Sequence, residues 1–212
     1  MKVYRLEEIA KDVRIAIDQN MSSETLSDFG DVDTLSLNDI IKSKIVDAIR
    51  RVHSKAPSYL LDSGSNFGDA IYWKELESGW CLLPEDFMRL VVFQMDDWER
   101  PVYHAISEDD EEYEKQSSRF KGIRGTAQKP VCAIAIRPEG RVLEFYSCKS
   151  TDAMVSRAVY IPYPKIDDDG GVQICERCYQ AVIYTIASLV LTTYGNADQS
   201  KALSELTKST LI

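Results

Sequence analysis

The chain has 212 residues, 44% of them apolar, and 34 acids against 25 Lys and Arg give a formal net charge of -9. That length and apolar content can bury a core within one domain and exclude wholesale disorder. The acidic balance excludes a nucleic-acid binder that works by neutralising phosphates, and an odd count of five cysteines excludes a secreted disulfide framework. A reducing cytoplasm, at least during synthesis, fits those cysteines better.

The opening, MKVYRLEEIAKDVRIAIDQN, lacks the continuous apolar core of a signal peptide and carries acids that transit peptides avoid. Leu6, Ile9, Val13, Ala16 and Ile17 recur there at helical spacing and predict an amphipathic helix. The polar stretch from Met21 to Leu35, broken by Gly30, reads as a connection. A second helix follows, with Ser36 as its cap, Asp39 favouring the first turn and Pro57 forbidding continuation. Ile41, Ile45, Ala48, Ile49 and Val52 form its inner stripe, so residues 1–57 read as helical.

After the Gly/Ser loop LLDSGSNFGDA, residues 70–165 read as mainly β. RLVVFQM (Arg89 to Met95) and VCAIAIR (Val131 to Arg137) predict strands, and PEG at Pro138 to Gly140 turns the second into RVLEFYSC as a hairpin. RAVYIPY (Arg157 to Tyr163) predicts a further strand, placed at an edge by Pro162. A polar insertion near residues 107–128 is expected outside the core. Residues 172–212 read as C-terminal helices: a long apolar one through ICERCYQAVIYTIASLVLTTYG, then an amphipathic tail with Ala202, Leu203 and Leu206 as contacts. The apolar stretch Cys178 to Tyr194 is too short and too rich in hydroxyls to span a membrane. The expected fold is α+β in one domain: N-terminal helices, a central antiparallel β region with a hairpin, and a long C-terminal helix in a helical bundle.

Cys175 and Cys178 form a C-x-x-C, the spacing of zinc sites and thiol–disulfide enzymes. A structural zinc needs four ligands, and Cys132, Cys148, His53 and His104 would have to supply the rest from unrelated elements. Cys175, Cys178, Val182, Ile186 and Leu189 instead step by three and four residues, which reads as one apolar stripe with buried thiols. The acidic run Glu108 to Glu114 lacks the alternating ligand spacing of a calcium loop and reads as a solvated loop. IDDDGG (Ile166 to Gly171) lacks the late Glu of such a loop and reads as a turn with an acidic helix start. DSGSNFG (Asp62 to Gly68) is neither a phosphate-binding loop nor a nucleophile elbow, and His53 and His104 read as packing or surface residues. No residue is assigned a catalytic, cofactor-binding or metal role.

The stretch WCLLPEDFMRLVVFQMDDWERPV (Trp80 to Val102) resembles the middle of head–tail adaptor (connector) proteins of tailed bacteriophages. The order of elements is similar as well: an opening helix, a well-capped helix, the LPEDF turn, a β region and a long closing helix rich in small residues. CYQAVIYTIASLVLTTYGNADQSKALSEL looks like that closing segment, with Ala187, Ser188 and the break at Gly195 and Asn196. The acidic insertion after Ile106 departs from compact versions of the pattern. The resemblance implies a non-enzymatic virion protein without cofactor. It would form a ring of about twelve copies, joining the portal to the tail or to the next ring, with DNA passing unbound through the channel. An apolar helix with Tyr179, Ile183, Val190 and Tyr194 around its circumference suggests surface left over for neighbours. Two alternatives stay open: a cytosolic metal- or thiol-dependent protein built on Cys175 and Cys178, and an accessory binding protein of a bacterial host.

Overall fold

In a computed structural model, which describes residues 1–18, 36–61, 64–146 and 148–212, helices and sheets both contribute. Strand β1 (Lys2–Arg5) leads into α1 (Leu6–Asp18) and, beyond residues 19–35, α2 (Leu37–Lys55). Next come β2 (Ser65–Asn66), β3 (Tyr72–Trp73), β4 (Gly79–Leu82), β5 (Phe87–Met95) and β6 (Ile106–Ser107). The helix α3 (Glu111–Lys115) precedes β7 (Val131–Arg137), β8 (Gly140–Tyr146), β9 (Val155–Pro162) and β10 (Gly171–Ile174). Two helices close the chain, α4 (Tyr179–Thr193) and α5 (Ala197–Thr210). The class is α+β, with the long helix near the C-terminus. The connection expected over Met21 to Leu35 lies entirely outside the described residues.

The chain divides into two compact units, one of Met1–Ser63 with Tyr163–Ile212 and one of Gly64–Pro162. The first is helical. Its α1 buries Ile9, Val13, Ala16 and Ile17, and α2 buries Ile41, Ile45, Ala48, Ile49 and Val52, the stripes their spacing predicts. Ser36 caps α2 by accepting the Asp39 N–H at 3.3 Å. The helix α4 packs against α1, α2 and α5 and buries Ile183, Ile186, Ala187 and Val190 within the chain. Its apolar circumference is therefore covered by its own unit, and the surface expected for neighbours is not left over. Only Tyr194, at its C-terminal cap, stays appreciably exposed among the four extra apolar residues.

The terminal segment is a helix, as expected, although only one of its three expected contacts points inward. Leu203 is fully buried, whereas Ala202 and Leu206 are exposed. Hydroxyls join α5 to α4: Ser188 Oγ lies 3.0 Å and Thr192 Oγ1 2.7 Å from Ser200 Oγ, and Thr185 faces Thr207. Gly195, with φ of 77°, takes the left-handed conformation that ends α4 and lets the chain double back.

Two strands of this unit escape the periodicity reading. The helical pattern begins at Leu6, so Lys2–Arg5 carries no signal of its own, yet it pairs antiparallel with β10 some 170 residues away. IDDDGG turns into that strand and not into a helix: Gly170, with φ of 69°, donates its N–H to Asp167 O at 2.9 Å.

The second unit holds a three-stranded sheet, order β2-β9-β5, and a five-stranded sheet, order β3-β4-β8-β7-β6. The three expected strands and the β7–β8 hairpin are present, the latter in register from Val131↔Tyr146 to Arg137↔Gly140. Strand β9 is not an edge. It lies between β2 and β5, and Pro162 is tolerated because it is the terminal residue, beyond the two residues that β2 pairs with. The close approach of β2 depends on Gly64, where a Cβ would stand 2.1 Å from Tyr160 O. Phe67, Phe87, Phe93, Phe145, Trp98 and Tyr160 dominate the core.

The LPEDF turn is a folding element of this unit. Phe87 N–H donates to Pro84 O at 3.0 Å, the Asp86 carboxylate accepts the Tyr160 hydroxyl at 2.8 Å, and Phe87 stacks on Tyr160. In DDWERP, Asp96 accepts the Met154 N–H at 3.0 Å and Asp97 accepts that of Lys149. Trp98 is buried against Phe93 and Phe145.

Candidate functional site

The β unit carries one ionised cluster that sequence reading passes over, centred on Glu144. Strand alternation puts Leu143 and Phe145 toward the aromatic core, so Val142, Glu144 and Tyr146 share the opposite face. Glu144 is 2% exposed. Lys74 Nζ donates to its Oε1 at 2.8 Å, as does Arg137 Nε at 2.8 Å, with Arg137 Nη2 on the same oxygen. Tyr146 donates its hydroxyl to Oε2 at 2.5 Å, and Tyr113 adds a longer contact of 3.4 Å. Arg137 also lies over the Trp80 ring, which stacks on Tyr72 at 4.2 Å.

Burial works to raise the Glu144 pKa, but the hydrogen bonds from Lys74, Tyr146 and Arg137 outweigh it and hold the carboxyl below its ordinary value. Tyr146 is pushed up by burial first and by its bond to the carboxylate second, and Tyr113 shifts the same way. For Arg137 burial works downward, and the Glu144 hydrogen bond and charge reverse it. Proton transfer near neutrality needs a group poised close to the working pH. Here the carboxylate is locked ionised and the phenols are locked neutral. The arrangement suits fastening.

What it fastens is the polar insertion. Tyr113 belongs to α3, inside the run of acids, and with Ser78, Gln116 and Glu144 lines a cleft of about 810 Å³. The insertion was expected outside the core, and its acids Glu108 to Glu112 and Glu114 are indeed exposed. Two of its polar residues are buried all the same, Gln116 at 5% and Arg124 at 6%. Gln116 donates to Glu112 O at 3.0 Å and accepts the Gly125 N–H at 2.8 Å, closing the loop on itself. Arg124 Nη1 donates to Leu76 O at 3.0 Å. A polar residue in a polar segment gives no sequence signal of burial, so only the alternation of β8 around Glu144 hinted at this site.

The C-x-x-C lies in the helical unit at a strand–helix junction, which corrects the single helical stripe. Cys175 follows β10, Glu176–Cys178 form a 3-10 turn, and α4 begins only at Tyr179. Both cysteines are fully buried. Cys175 N–H donates to His53 Nε2 at 3.2 Å, and Cys178 Sγ stands 3.9 Å from Leu60 O. Among the described residues, no group of three or more His, Cys, Asp or Glu is placed to hold a metal ion. His53 is fully buried, and burial, then the charge of the N-terminus, lowers its pKa from 6.5 to about 4. It is a neutral acceptor at pH 7. His104 is exposed in the other unit.

Cys81, Cys132 and Cys148 are buried in the β unit, and burial raises the Cys81 and Cys148 thiols to about 12. At those values the thiolate is scarce and the sulfurs behave as small apolar groups. No helix among the described residues is long and apolar enough to cross a membrane. No family model matches the chain, and no curated protein matches it.

Proposed function

We propose that the protein is a non-enzymatic structural subunit of a phage or prophage virion, a head–tail adaptor that assembles into a ring between portal and tail. The observation that carries the reading is the arrangement of the chain. Helices from both ends form one unit, and the LPEDF turn opens the long strand of a β unit inserted between them. That order follows the layout of the family the sequence resembles. The ionisable clusters support the same reading. Glu144 is consumed by its partners and the cysteines are buried, so each is accounted for by packing.

A ring built head to tail requires two different complementary faces on each subunit. Since α4 is covered by its own unit, those faces must come from elsewhere. Light scattering on the protein alone and mixed with a portal protein tests the proposal. Formation of a ring, alone or on the portal, is the expected result. A protein that stays monomeric and never engages a portal overturns it.

A further inference from the structure

The geometry points to a binding site for a small oxyanion, a carboxylate or phosphate group, in a recess around Arg124. The recess has a volume of about 360 Å³ and lies within the β unit, apart from the Glu144 cleft. Arg124, Lys121 and Lys149 line it together with Glu77, Glu99 and Thr126. Three cations and two carboxylates line it, and Asp97, which accepts the Lys149 N–H, stands beside it.

Arg124 is what turns a charged hollow into a built site. Its side chain is only 3% exposed, yet it spends its donors unevenly. Nη1 has a good acceptor in Leu76 O at 3.0 Å, whereas Nη2 reaches Glu77 Oε2 only at 3.5 Å. The buried Nε–H has no hydrogen-bond partner. An unmet guanidinium donor in a buried position is costly, because the group has lost water and gained nothing. Guanidinium matches planar and tetrahedral oxyanions through two adjacent N–H groups, and Nε with Nη2 is such a pair.

The backbone nearby is also held out of its usual conformation. Leu76 and Glu77 both have positive φ, 62° and 49°, which non-glycine residues seldom adopt and which occurs here twice in succession. The turn is kept there by Arg124 on Leu76 O and by Cys148 N–H on Glu77 O at 2.9 Å. This holds Glu77 beside Arg124 while its side chain remains 43% exposed. Glu77 is thus a weak internal stand-in for the anion, able to swing away when a better one arrives. Lys121 and Lys149 at the rim supply the long-range attraction.

The experiment follows the Arg124 Nε–H resonance by NMR in the full chain, titrating inorganic phosphate and acetate separately at constant ionic strength. A saturable shift is expected with at least one of them. Phosphate alone would identify a phosphate-bearing ligand, acetate alone a carboxylate-bearing one, and both the shared oxyanion chemistry. Arg124 is left intact, since its loss would unsettle the turn. Glu77→Gln removes the competitor and should tighten binding severalfold, while Lys121→Gln with Lys149→Gln should weaken it by roughly tenfold. No saturable shift with either anion, or shifts indifferent to both sets of variants, would overturn the proposal.

Discussion

Lowering the pH should attack the helical unit through one residue, His53. In the folded chain it is neutral and accepts the Cys175 N–H where β10 hands over to α4. Protonation puts a second donor in front of that N–H and a charge in a fully buried position. The folded-state pKa is about 4 against 6.5 for the free group, so the folded protein binds fewer protons than the unfolded one between those values. Its contribution is therefore fully present above pH 6.5 and is withdrawn as the pH falls through 4. At 1.36 kcal/mol per pH unit the whole span amounts to about 3 kcal/mol, of which about 2 kcal/mol is already lost at pH 5. Against a typical domain stability of roughly 5–15 kcal/mol that is a large share. The measurement is direct because the chain has only two histidines. NMR of the imidazole protons, with His104→Gln to assign them, should show His53 titrating near 4. Urea unfolding from pH 7 to 4.5 should be steeper in pH for the parent than for His53→Gln, whose amide oxygen can still accept. A midpoint near 6.5, or parallel pH profiles for the two proteins, would refute the reasoning.

Glu144→Gln leaves Lys74 and Arg137 without their shared counter-charge, and a loss of about 3 kcal/mol is expected in denaturant unfolding, with faster proteolysis of the insertion. Because that carboxyl is held below its ordinary value, its contribution is present above the usual carboxylate range and fades as acid protonates it, so the parent and Glu144→Gln should converge at low pH. Gly64→Ala places a Cβ against Tyr160 O and should cost at least about 2 kcal/mol, seen as lost amide protection where β2 meets β9. Leu76→Val, although apolar, should destabilise by about 1–2 kcal/mol because branching worsens the left-handed backbone, while Leu76→Asn should be neutral or better. Ser36→Ala should remove about 1 kcal/mol by uncapping α2.

The parts of this fold that can be read from sequence are those with local periodicity. The stripes of α1 and α2, the Ser36 cap and the PEG turn each rest on residues a few positions apart, and each stands as read. The parts that cannot be read depend on partners far along the chain. Lys2–Arg5 is a strand only because Gly171–Ile174 lies beside it, and that strand in turn delays the helix past Cys175 and Cys178. Pro162 suggested an edge because the rule about proline concerns a missing donor, and the donor is dispensable at a strand end. The Glu144 cluster was hidden for a different reason. Tyr146 shares its strand and Arg137 the paired arm of the hairpin, but Lys74 and Tyr113 come from distant segments, and nothing in a run of residues marks a lysine or a tyrosine as inward.

The interrupted path of the helical unit has a consequence for how the protein is made. Residues Gly64–Pro162 are contiguous, so the β unit has its whole sequence available before Tyr163–Ile212 is made. The helical unit does not: α4, which its other helices surround, and β10, which pairs with Lys2–Arg5, emerge only after the whole β unit. Until then the apolar stripes of α1 and α2 lack their principal cover. The nascent chain thus presents a finished β unit and an open helical one, and completion waits on a long-range closure of the kind that slows folding. Ribosome-bound chains halted before Tyr179 would carry that exposed helical surface, and it is there that a chaperone has most to do.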